Sequence, residues 1–154
     1  MAEWLQFLEH SAVAAFIRQS LWLYPVLEIV HITGIVLLVG PALMFDLRLL
    51  GSSKHLPVAG LGSHLLTWSV RGLWLVIPSG ILLFVTNAGT LGYDPVFWTK
   101  MSLLALAAAN ALWFRVLMKR GKDGTAFPAV TKLIAIFSIV LWTAIIACGR
   151  LLAY

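Results

Sequence analysis

Glu28 and His31, three residues apart in an otherwise oily stretch, are where this 154-residue sequence could first do chemistry. They lie within LWLYPVLEIVHITGIVLLVGPALMFD, residues 21–46. Ionisable groups at membrane depth are costly unless answered, which marks them as functional candidates. Residues at i and i+3 share a helix face, and Tyr24 and Gly34 continue this one. A carboxylate beside an imidazole can relay protons, hold an ion or ligate a metal. Lys100 sits in another apolar run and matches Glu28 in depth and sign, counting about 1.5 Å per helical residue. An ion pair between them is therefore expected, because a cationic neighbour favours the ionised carboxylate.

A second polar stripe runs through His64, Thr67, Arg71, Trp74 and Pro78 at helical spacing. Arg71 is expected to snorkel and meet Asp46, and Asn110 to hydrogen-bond a neighbouring helix. Two cofactor arrangements are open to these residues. One is haem b on His31, either as a single-histidine haem or with Met101 as a second ligand; the other is a transition metal held by His31, Glu28 and His10. The metal set requires the N-terminal segment to fold over the mouth of the bundle. Paired-histidine haem is disfavoured, because His55 and His64 fall at the opposite membrane edge from His31. There is no Ser/His/Asp arrangement, HExxH, Walker loop or cysteine nucleophile, so no catalytic residue is assigned and an enzyme is not expected. Cys148 is the single cysteine, which excludes an intrachain disulfide and a CxxC site.

The elements that must position these groups follow from composition. The chain is 61% hydrophobic and 11% charged, with mean hydropathy +0.96. Continuous apolar runs of this kind make helices; a membrane barrel needs short alternating segments. The fold class is thus all-α: a polytopic four-transmembrane-helix bundle with spans at about 21–45, 65–86, 96–117 and 128–152. Residues 1–20 read as an N-terminal interfacial amphipathic helix, with Trp4, Leu5, Leu8, Ala12, Ala15 and Phe16 near one face. Residues 21–154 form the transmembrane domain. Ser63 is the expected N-cap of the second span, and Asp94-Pro95 the start of the third. Asp46 and Arg48 mark the exit of the first span, and Gly121–Gly124 the last turn.

The first and third loops carry Arg48, Lys54, Arg115, Lys119, Arg120 and Lys122, whereas residues 87–94 carry no lysine or arginine. The positive-inside rule then places the first and third loops in the cytoplasm and both termini outside it. The net charge of +5 is thereby explained without nucleic acid. Residues 1–18 include acids and lack a basic n-region, so no cleavable signal peptide is expected.

Tyr24-Pro25 with Glu28, His31 and Gly34, then Asp46-Leu-Arg-Leu-Leu-Gly51, then Asp94-Pro with Phe97 and Lys100, resemble a family of small bacterial inner-membrane proteins. That family is a domain of unknown function, so the resemblance implies no activity; it singles out Glu28, His31 and Lys100. Relatives often close the third span with an aromatic and a histidine, where this chain has Phe114-Arg115. A looser likeness to copper-resistance and cytochrome-b-like membrane proteins is an analogy. Three roles remain open: proton, ion or small-solute handling; a haem- or metal-binding redox subunit; and a structural or accessory subunit. The expected partners are the lipid bilayer and either further copies of the chain or other subunits of a membrane complex.

Overall fold

A computed structural model describes residues 2–52, 55, 57–120 and 128–152. Among these residues there are helices and no strands: α1 (Ala2–Glu9), α2 (Ala12–Gln19), α3 (Leu23–Leu50), α4 (Val58–Thr86), α5 (Ala88–Leu91), α6 (Pro95–Arg120) and α7 (Pro128–Leu151). Helices α3, α4, α6 and α7 are long and apolar enough to cross a membrane. Lys54, Lys122 and the Gly121–Gly124 turn lie outside the described residues.

Each long helix begins and ends for a local reason. α3 stops at Gly51, whose φ of 113° is a left-handed conformation that glycine adopts freely. Its N–H closes the helix on the carbonyls of Arg48 and Leu47. Asp46 and Arg48 therefore belong to the last turns of α3 and do not lie beyond it. α6 begins as its sequence suggests: the Asp94 carboxylate accepts from the Val96 N–H at 2.7 Å, and Pro95 takes the first helical position. α4 starts at Val58, seven residues before the expected boundary, with Pro57 at the cap. Ser63 is already inside the helix and donates to the Gly60 carbonyl at 2.8 Å. Glycines and polar residues hide this early turn from hydropathy, but packing explains it. A Cβ at Gly62 would come within 2.8 Å of the Phe45 ring, so α4 extends along α3 as far as that contact.

The bundle is built from two close pairs, α3 with α4 and α6 with α7, joined through α3 and α7. Gly34 and Gly72 let the backbones of α3 and α4 meet: a Cβ at Gly72 would lie 2.6 Å from the Leu38 nitrogen and 2.8 Å from the Gly34 carbonyl oxygen. Small residues at such crossings bring helices close enough for dispersion to hold them in lipid. Ala107, Leu141 and Ile145 form the buried centre of the α6–α7 pair, flanked by Leu103, Leu104 and Trp142. Aromatic contacts close the remaining gaps. Phe84 of α4 stacks on Phe97 of α6 at 5.1 Å, and Phe45 of α3 meets Phe114 of α6 edge-on at 5.5 Å.

The N-terminal segment forms two short helices in place of the single expected one. The chain turns at His10–Ser11, and the Ser11 hydroxyl caps α2 by accepting from the Ala14 N–H at 3.3 Å. The break resets the helical phase, so the buried residues of α2 are Ala14 and Ile17, while Phe16 is exposed. Leu5 of α1 is buried and fills the space beside Gly92. The hairpin is tied to the far end of α4. Arg18 donates to the Thr86 carbonyl at 2.8 Å and to the Glu9 carbonyl, and the Glu9 carboxylate accepts from the Gly89 N–H at 2.7 Å.

Candidate functional site

His31 turns into the α3–α4 seam, three residues before the Gly34 crossing. Its Nδ1 lies 2.9 Å from the Ser79 hydroxyl, and the ring edge packs over Gly80, where a Cβ would come within 3.0 Å of Cε1. Ser79 follows Pro78, which α4 accommodates inside the helix. The Ser79 hydroxyl also donates to the Leu75 carbonyl one turn back. A hydroxyl has one proton to give. With that proton on Leu75, the Ser79 oxygen accepts and His31 Nδ1–H donates. The neutral ring in that tautomer carries its lone pair on Nε2.

Lys100 of α6 approaches the same region from the opposite pair of helices. Its Nζ lies against α7, 3.6 Å from where a Cβ on Gly149 would sit, and its charge is within electrostatic reach of His31 and Cys148. Gly149 thus leaves room for the ammonium. Tyr24, two turns before His31, accepts at its hydroxyl from the Asn87 amide at 3.2 Å, which joins the start of α3 to the end of α4. Glu28 is exposed, and among the described residues no ion pair joins it to Lys100.

The residues of the second stripe separate. Asp46 is 7% exposed and hydrogen-bonds Ser138 of α7, while its Oδ2 has no partner among the described residues. Arg71 does not meet it; the guanidinium lies 4.8 Å from the Trp68 ring centroid on the exposed side of α4. His64 lines a groove on that side. The Asn110 amide donates to the Ile134 carbonyl at 3.3 Å, across α6–α7. Ser69, buried in α4, has a hydroxyl without a partner among the described residues.

Of this constellation, His31 is the residue that could hold a cofactor, through Nε2. The trio His31, Glu28 and His10 is not assembled. His10 is exposed and bonds the Gln6 carbonyl through Nδ1 at 2.8 Å, and among the described residues no three His, Cys, Asp or Glu side chains group as a metal site. Sequence reasoning missed the partners: Ser79 for His31, Asn87 for Tyr24, Ser138 for Asp46 and Gly149 for Lys100. Only the Pro78-Ser79-Gly80 run carried a signal, as a proline with two small neighbours inside a span.

A family model described as a family of unknown function (DUF6644) matches residues 11–154. No curated protein and no solved structure matches the chain.

Proposed function

The chain belongs to this family of unknown function, and from that premise we propose that it is an integral membrane protein that handles protons at His31. One observation carries the reading. Ser79 fixes the imidazole through Nδ1 and leaves Nε2 as the atom that would take up and release a proton. A histidine held this way is a proton shuttle by its ordinary chemistry. Glu28 and Tyr24 lie successively toward the start of α3, about 5 and 10 Å along the helix from His31. They are the groups through which protons would reach the nearer membrane surface. The loop charges support the outer side of a bacterial inner membrane for that surface, with both termini outside the cytoplasm. Four spans leave little room for a path within one protomer, which favours a homo-oligomer as the working unit.

The test is proton flux. Protein reconstituted into vesicles enclosing a pH-sensitive dye is driven by a potassium diffusion potential. The expected result is an internal pH change faster than in protein-free vesicles and reduced to that background by His31→Gln. Equal rates for the two proteins refute the reading. The same free nitrogen favours one alternative, a haem- or metal-binding redox subunit, because Nε2 is also where such a group would bind. A Soret band or stoichiometric metal in the purified protein, lost in His31→Gln, would put that alternative first. A variant that changes only thermal stability would assign His31 an assembly role.

A further inference from the structure

The side of α4 turned away from α3 carries two open grooves, one after the other. The first, of about 470 Å³, is lined by His64, Thr67, Trp68 and Arg71 among others. The second, of about 480 Å³, is wholly apolar and includes Trp74, Ile77, Pro78 and Ile81. Trp74 is 78% exposed, so no other part of the described chain covers this face.

We infer that this face binds an anionic glycerophospholipid, with its phosphate at Arg71 and one acyl chain along the apolar groove. Arg71 lies 15 residues before the end of α4, about 22 Å along a helix that crosses a hydrocarbon layer of about 30 Å. A guanidinium at that depth must find an anion or reach the interface. It leans back over Trp68, toward the start of α4, as helical side chains do. No acidic residue lines the groove, and Asp46 is buried inside the bundle beside Ser138. Among the described residues no anion answers Arg71, and a lipid phosphodiester at the interface toward which it leans is the one a bilayer supplies.

The hydroxyls refine the choice of headgroup. Ser63 donates to the Gly60 carbonyl and Thr67 to the Ser63 carbonyl. Each has given its single proton to the backbone and faces the groove as an acceptor. They would recognise headgroup hydroxyls, as in phosphatidylglycerol, while Arg71 engages the phosphate with its fork of donors. Beyond it, the groove at Pro78 continues in the direction that an acyl chain runs.

Native mass spectrometry of delipidated protein with added phosphatidylglycerol or phosphatidylcholine tests this. The expected result is retention of phosphatidylglycerol about five-fold above phosphatidylcholine, with that preference lost in Arg71→Gln. Trp74→Ala, at an exposed position, should weaken both lipids, and millimolar inorganic phosphate should not compete, because it has no chain. Equal retention of the two lipids, or an unchanged preference in Arg71→Gln, overturns the proposal. Competition by free phosphate would assign the site to the soluble anion. A dimer in solution that Trp74→Ala dissociates would assign the face to a second copy.

Discussion

Replacing Gly72 by alanine adds one methyl group where two helix backbones touch. The new Cβ would stand 2.6 Å from the Leu38 nitrogen, 2.8 Å from the Gly34 oxygen and 2.9 Å from the Leu37 carbonyl carbon. None of these is the end of a flexible side chain, so the relief must come from movement of α3 against α4. Reaching the 3.4 Å of ordinary contact requires a shift of about 0.8 Å. Overpacking of this kind costs about 1–3 kcal/mol. A shift of that size along the 2.9 Å His31–Ser79 hydrogen bond would carry it past useful length, since a side-chain contact at about 3.6 Å is no longer a hydrogen bond. Gly40→Ala is the internal control. It lies on the same helix as Gly34, and its Cβ would meet nothing within 4 Å. Alanine there should be neutral or stabilising by up to about 1 kcal/mol, from helix propensity alone. Unfolding of the purified protein in mixed micelles, followed by tryptophan fluorescence, gives both numbers. Equal stability of Gly72→Ala and Gly40→Ala would refute the close crossing and the placement of His31 that depends on it.

Three further outcomes follow from the same geometry. Ser79→Ala removes the acceptor for His31 Nδ1–H and should cost about 1 kcal/mol; the ¹⁵N shifts of the imidazole should show its tautomer no longer fixed, and unchanged shifts would deny the hydrogen bond. Arg18→Ala releases the N-terminal hairpin from Thr86 and Glu9, so hydrogen exchange should accelerate across residues 2–19 and remain unchanged in the middle of α3. Asp94→Ala removes the cap of α6 and should lower stability by about 1 kcal/mol, with Asp94→Asn or Asp94→Ser restoring most of it in the same unfolding assay.

The bundle was legible because hydropathy reports burial in lipid directly: continuous apolar runs of membrane length leave few alternatives to helices. The start of α6 was legible too, because Asp94-Pro95 states a cap in two adjacent residues. The start of α4 was not, since Gly60, Gly62 and His64 look like a loop until Phe45 is known to pack against Gly62. The break at His10–Ser11 was hidden for the opposite reason, as the amphipathic pattern runs across it and only the capping hydroxyl marks the turn. Within the site, depth counting matched Glu28 with Lys100 but could not fix azimuth, and Glu28 turns out exposed. Which side of α6 the lysine leaves by depends on Gly149, in a helix almost fifty residues later. Arg71 and Asp46 illustrate the same limit. Their levels suggested a pair, whereas the rotation of α4 turns one outward to Trp68 and α3 turns the other inward to Ser138.

The clasp between Arg18 and Thr86 joins residues 68 positions apart in the chain, and this sets an order for biogenesis. While the chain emerges, α1 and α2 have no docking surface until the whole of α4 has been made. The N-terminal hairpin must wait beside the membrane, with its apolar side chains uncovered, until the second span is complete. Closure of α3 on α4 through Gly34 and Gly72 then creates the ledge that Arg18 and Glu9 grasp. A half-length chain ending just after α5 would contain every partner in that clasp, from Glu9 and Arg18 to Thr86 and Gly89.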